Sequence, residues 1–146
     1  MPKINLEQEI KELNRRYHKL IFLCNRNEQF NALLPITNNF EHVNVNRVVS
    51  EGLVHINHDN YPFHVEEALL NALDDLEKVY YLQHIDILFD PSLKIHPIRM
   101  LESISKEYKL VVEWPGRYKE SNLIYAEQGH PEHFICHDFE GRVIIK

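Results

Sequence analysis

The stretch Lys19–Leu34, KLIFLCNRNEQFNALL, decides the fold. Five apolar residues, Leu20–Cys24, read as a short strand covered on both faces. A polar loop follows, then a short helix over roughly Glu28–Leu34 that Pro35 prevents from continuing. Strand, loop and helix in this order are the opening unit of a parallel α/β sheet. The loop is also where phosphate-binding proteins carry G-x-x-x-x-G-K-[ST]. Here it has no glycine, lysine, serine or threonine. The four glycines of the chain are Gly52, Gly116, Gly129 and Gly141, all far downstream.

A phosphate cradle needs backbone amides converging on an anion, which calls for glycines at positive φ. It also needs an ammonium beside the phosphate oxygens and a hydroxyl for magnesium. Asn25, Arg26, Asn27, Glu28, Gln29, Phe30 and Asn31 supply neither ammonium nor hydroxyl. Glu28 adds a negative charge where phosphate would sit, and two unit charges ~4 Å apart repel by about 4 kcal/mol at an effective dielectric of 20. Arg26 lies too early to replace the lysine.

Working outward, Leu6, Ile10, Leu13 and Tyr17 form one face of a first helix, with Asn5 as its cap. The run His42–Val49 alternates β-branched and polar residues and predicts a second strand. Gly52 and Asn57–Pro62 mark loops. A helix is expected over roughly His64–Lys78, burying Leu69, Leu73, Leu76 and Tyr80. The apolar run Val79–Phe89 predicts a strand ended by Asp90-Pro91. Pro97 opens another helix, with Ile98, Leu101, Ile104 and Tyr108 inward. Lys109–Trp114 is the next strand. Short strands at Leu123–Ala126, His133–His137 and Arg142–Ile145, joined by Gly129 and Gly141 turns, are expected to be antiparallel. The fold class is thus α/β, a three-layer core with a mostly parallel sheet and short antiparallel C-terminal strands, in one domain spanning residues 1–146.

Composition narrows the function. With 44% hydrophobic and 26% charged residues the chain is an ordinary globular protein that needs no staples. A net charge of −6 argues against a free-standing nucleic-acid binder. A local basic patch remains at Lys11, Arg15, Arg16, His18 and Lys19. Cys24 and Cys136 sit in apolar runs and read as buried thiols of a reducing compartment. No signal core or membrane span is present, so the expected location is cytoplasmic, with no membrane partner.

Other candidates for chemistry are few. After the apolar residues Val79–Leu82, Gln83 stands where a magnesium-holding carboxylate would be, and a neutral amide suits a hard cation poorly. Asp86, three residues on, reads either as a water-positioning base or as a capping residue. His130, His133, Cys136 and His137 do not converge on a strand, because Cys136 points away from His133 and His137; no metal site is expected. Trp114-Pro115-Gly116 reads either as a turn that caps the core or, with Arg117 and Tyr118, as an aromatic and basic partner edge.

The strings IDILFDPSLKIHPIRMLESISK (Ile85–Lys106), VVEWPG (Val111–Gly116) and LIYAEQGHPEHF (Leu123–Phe134) resemble BrxF, the small P-loop protein of type-three BREX phage-defence systems. The family pattern runs I-L-F-D-P, then W-P-G, then Y-A-x-x-G-H-P-E, and the specific matches lie in the second half of the chain. Its first loop resembles G-P-x-G-S-G-K-T-A-L-L. Ala32-Leu33-Leu34 align with the last three residues of that pattern, and Phe30-Asn31 fall where lysine and threonine belong. Gln83 falls where the family has its magnesium aspartate. The resemblance implies a degenerate, bacterial, non-hydrolysing accessory or scaffold subunit that binds no cofactor. Its implied partners are the large ATPase, the methyltransferase and the PglZ-type protein, or a second copy of the chain. His130 and Glu132, in the G-H-P-E string, join Trp114, Arg117 and Tyr118 as candidate partner contacts. Two alternatives stand beside this: an NTPase subunit completed in trans by a partner, and a nucleic-acid adaptor using the basic first helix.

Overall fold

A computed structural model describes residues 6–24, 40–126 and 128–145. The degenerate loop Asn25–Asn31, the helix expected over Glu28–Leu34 and the Asn5 cap lie outside the described residues.

Five parallel strands form the main sheet: β1 (Leu20–Cys24), β2 (Phe40–Asn44), β3 (Val79–Gln83), β4 (Lys109–Glu113) and β8 (Arg142–Ile145), in the order β2-β3-β4-β1-β8. A separate antiparallel sheet holds β5 (Arg117–Lys119), β6 (Asn122–Tyr125) and β7 (Phe134–Cys136), in that order. Among the described residues the α-helices are α1 (Leu6–Glu12), α2 (Val45–Leu53), α3 (Tyr61–Leu70) and α4 (Pro97–Ile104).

Alternation along the strands separates two cores. Leu20, Phe22, Cys24, Tyr80, Leu82, Leu110 and Val112 face α2, α3, α4 and the small sheet. Ile21, Leu23, Tyr81, Val111 and Ile144 face Leu6 of α1 and Leu13 of the 3-10 turn, Leu13–Arg15, that follows it. The sheet is therefore covered on both faces, which is why its strands read as continuous apolar runs.

Several expectations are corrected. The run His42–Val49 is not one strand: β2 ends at Asn44, whose side chain accepts the Arg47 amide at 3.1 Å and caps α2. Val45, Val49 and Leu53 recur every fourth residue and face the core, so helical spacing overrides β-branching. Gly52 lies in that helix, not in a loop; a Cβ there would meet the Ala68 Cβ at 2.5 Å, so the glycine lets α2 and α3 approach closely. Helix α3 starts early, with Pro62 in its first turn, and stops at Leu70. Tyr80 belongs to β3, where its hydroxyl accepts the Asp74 and Asp75 amides, both at 2.9 Å, and so fixes the turn that ends the helical region. Leu76 is exposed rather than buried, as is Tyr17.

The run Val79–Phe89 is a strand only to Gln83. His84 takes a left-handed φ of 57°, and Ile85–Phe89 is a 3-10 helix. Strands β6 and β7 are antiparallel as expected, but β8 returns to the main sheet and pairs parallel with β1. Among the described residues no helix is long and apolar enough to cross a membrane.

A charged pair on α4 holds the connection from β7 to β8. Arg99 grips both oxygens of buried Glu102 at 2.8 and 3.0 Å and donates to the Asp138 carbonyl at 2.6 Å. Glu102 in turn accepts the Glu140 amide at 2.6 Å, so the β7–β8 connection is pinned from both sides.

Candidate functional site

In an open parallel sheet, ligands gather beyond the carboxyl ends of the strands, where successive connections leave in opposite directions. The order β2-β3-β4-β1-β8 puts that point between β1 and β4: the chain leaves β1 toward β2 and leaves β4 toward β8.

The carboxyl ends of β3 and β4 carry a polar network beside it. The Tyr81 hydroxyl and the Gln83 amide donate to one oxygen of Glu113, at 2.7 and 3.1 Å. The Gln83 carbonyl oxygen lies 3.2 Å from Nδ1 of His42, which requires the tautomer protonated there. The His42 ring also meets Tyr81 edge-on at 5.2 Å. Gln83 is thus held at both ends of its amide, bridging a carboxylate on β4 to an imidazole on β2. The side chains share one sheet face because the pairs His42↔Tyr81 and Asn44↔Gln83 are in register.

A second corner assembles the strings FDP, WPG and GHPE. Phe89 stacks on Tyr125 at 4.1 Å and meets Trp114 and Phe134 edge-on at 5.5 and 5.2 Å. The Tyr125 hydroxyl donates to Asp86 at 3.0 Å. Burial, and then the Asp86 carboxylate, push that phenol up to about 12, so it acts as a proton donor in the hydrogen bond and not as a base. Beside it lies an open cleft of about 520 Å³ lined by Asn46, His84, Asp86, Asp90, Tyr125 and Glu132. The GHPE turn is self-bonded: Gly129 sits at φ 94°, and His130 Nδ1 accepts the Glu132 amide at 3.0 Å.

The structure thus separates the residues singled out from sequence. Gln83 and Asp86 lie in different clusters. Trp114 is only 3% exposed and fills the end of the core against Phe22, while Arg117 and His130 are exposed and Tyr118 and Glu132 half-buried. Asp86 and Glu132 share the cleft; Arg117 lies on β5 of the small sheet. Sequence reasoning missed Glu113, Tyr81 and His42. The available signal was a glutamate closing the apolar run Leu110–Val112, at the carboxyl end of a strand.

The chemistry on offer is limited. Burial pushes the Cys24 thiol up to about 12, and Cys136 is likewise raised by burial, so neither is an activated nucleophile. Among the described residues no group of three or more histidine, cysteine, aspartate or glutamate side chains is arranged to hold a metal ion. Comparisons with models of protein families, with curated proteins and with solved structures return no match for this chain.

Proposed function

We propose that the chain is a non-hydrolysing accessory or scaffold subunit of a BREX-type bacterial phage-defence assembly, built on a P-loop-NTPase-like core and acting in the cytoplasm through protein contacts. The observation that carries this reading is the engagement of Gln83. A nucleotide site at the end of β3 would need a carboxylate to hold magnesium through water. Gln83 offers an amide already spent on Glu113 and His42. Glu113, the nearby carboxylate, takes two donors on one oxygen and so acts as an acceptor within the fold. The sequence of the first loop removes the other half of such a site, since it has no glycine, lysine or hydroxyl.

The convergence of FDP, WPG and GHPE on one corner supports the resemblance that names the assembly. Its partners are then the large ATPase, the methyltransferase or the PglZ-type protein. Co-expression of the tagged chain with each of these, followed by size-exclusion chromatography without nucleotide, tests the proposal. A stoichiometric complex with one of them is the expected result. Separate elution from all three would refute it.

A further inference from the structure

Strand β2 closes the main sheet on the β3 side. Its residues pair with β3 without a bulge, from Phe40↔Val79 to Asn44↔Gln83. Among the described residues nothing pairs with its other edge. Amides and carbonyls along a strand point alternately to its two sides, so β2 presents a row of them outward. Phe40–Asn44 contains no proline or lysine to block that row. Its one carboxylate, Glu41, is answered by Lys78 at 3.5 Å.

A groove of about 240 Å³ lies between this strand and α2. Half-buried Val48 and Ala72 line it beside Val43. Arg47 and Glu51, also in its wall, bond each other at 3.3 Å. With Glu41 held by Lys78, none of these three charges is left to select a charged ligand.

We infer that β2 takes up an extended segment of a partner protein as a sixth strand, with an apolar side chain of that segment seated in the groove against Val48 and Ala72. This rests on the reading of the chain as a protein-binding subunit and names the edge it binds through. The outward row of backbone groups selects the occupant, because another extended backbone matches it group for group. The groove selects the side chain. An added strand runs about 4.8 Å from β2 and turns alternate side chains to the face of the sheet that Val43 and α2 share. Five residues of β2 span roughly 17 Å, the length of a short linear segment. Strand and helix are already fixed to each other by the Asn44 side chain, which accepts the Arg47 amide at 3.1 Å, so little ordering is lost on binding. A second copy fits the groove poorly. On that face β2 itself carries only Glu41 and Val43, which is buried, so it has no free apolar side chain to offer.

The test selects random displayed peptides of about 12 residues on the intact chain and then N-methylates the winners one amide at a time. Enrichment of peptides with Val, Ile, Leu or Phe is expected. Methylation should abolish binding at alternate positions and spare those between, the signature of a strand ladder. Ala72→Gln, which fills the groove, should weaken the winners about tenfold, with circular dichroism verifying the fold. Should that variant not fold, the methylation series on the wild type decides alone. Absence of enrichment, tolerance of methylation at every position, or equal binding by folded Ala72→Gln would overturn the inference. So would a free chain that elutes as a dimer and is dissociated by the winning peptides, since a second copy then holds the edge. If the peptides behave as expected but no defence component co-elutes, the assignment to that assembly fails and the edge stands. If a component binds Ala72→Gln and the wild type equally, the edge fails and the assignment stands.

Discussion

The indole nitrogen of Trp114 lies 3.0 Å from the carbonyl oxygen of Ile124. That carbonyl also meets the Cα side of Gly116, where an added Cβ would run into the oxygen itself. The same indole N–H reaches the Arg117 carbonyl at 3.2 Å. Trp114-Pro115-Gly116 is thus a clasp: the tryptophan holds the second strand of the small sheet and the glycine makes room for it. Gly116→Ala is expected to destabilise the chain more than Trp114→Phe, which loses the hydrogen bonds at a cost of about 1–3 kcal/mol but keeps most of the ring packing. Urea unfolding monitored by circular dichroism ranks the two, and the reverse order would show that the clasp is mainly an aromatic plug.

Helix packing gives a second prediction. Replacing glycine by alanine inside a helix ordinarily gains up to ~1 kcal/mol. At Gly52 the new methyl meets Ala68 at 2.5 Å, so overpacking between α2 and α3 outweighs that gain. Gly52→Ala is expected to cost about 1–3 kcal/mol, and adding Ala68→Gly to recover part of it. Thermal melts of the single and double variants measure the coupling.

The first and last strands of the main sheet in chain order were legible, β4 was legible to within one residue, and the edge strand β2 was not. Strands β1 and β8 have the bounds expected from their apolar runs, and Pro97 marks the first turn of α4. Val45, Val48 and Val49 misled because β-branched residues favour strands locally, while the four-residue spacing of Val45, Val49 and Leu53 is what the core selects. Strand β5 escaped notice because its three residues, Arg117–Lys119, include two cations and are too few to show a period. The Gln83–Glu113 contact joins residues 30 apart in the chain, and it depends on β3 and β4 being neighbours, which no local pattern announces. Gln83 itself was readable as a departure from the resembled pattern; its partners were not.

Acidity acts on α4 through His96. Its ring Nδ1 accepts the Arg99 amide at 3.2 Å and caps the helix, a role open only to the neutral imidazole. Burial, and then the Arg99 charge, lower its pKa below the ordinary 6.5. The unfolded chain therefore takes up the proton first as pH falls. The stabilisation is present above about 6.5 and is lost on descending through the window down to the folded-state value. His96→Asn keeps an acceptor at the cap without titrating. Urea midpoints for the wild type should drop between pH 7.5 and pH 5.5 by more than those of the variant, and equal drops would contradict the cap (both about one unit from the imidazole range).

The network at the sheet edge predicts its own response to a carboxylate. Gln83→Asp removes a donor from Glu113 and sets a second negative charge beside it. Stability at neutral pH should fall by about 1–3 kcal/mol. The folded state then raises a carboxyl pKa, so the deficit narrows as pH falls and one of the pair protonates. Denaturant titrations at neutral and mildly acidic pH check both the size and the sign. A variant as stable as the wild type at neutral pH would mean that Gln83 contributes nothing to the edge.

Calorimetric titration of the full-length chain with ATP and magnesium tests the central claim most directly. With Gln83 bound to Glu113 and a first loop lacking lysine, glycine and hydroxyls, no saturable heat is expected up to millimolar nucleotide. Saturable binding in the low micromolar range or tighter by the chain alone would contradict the account.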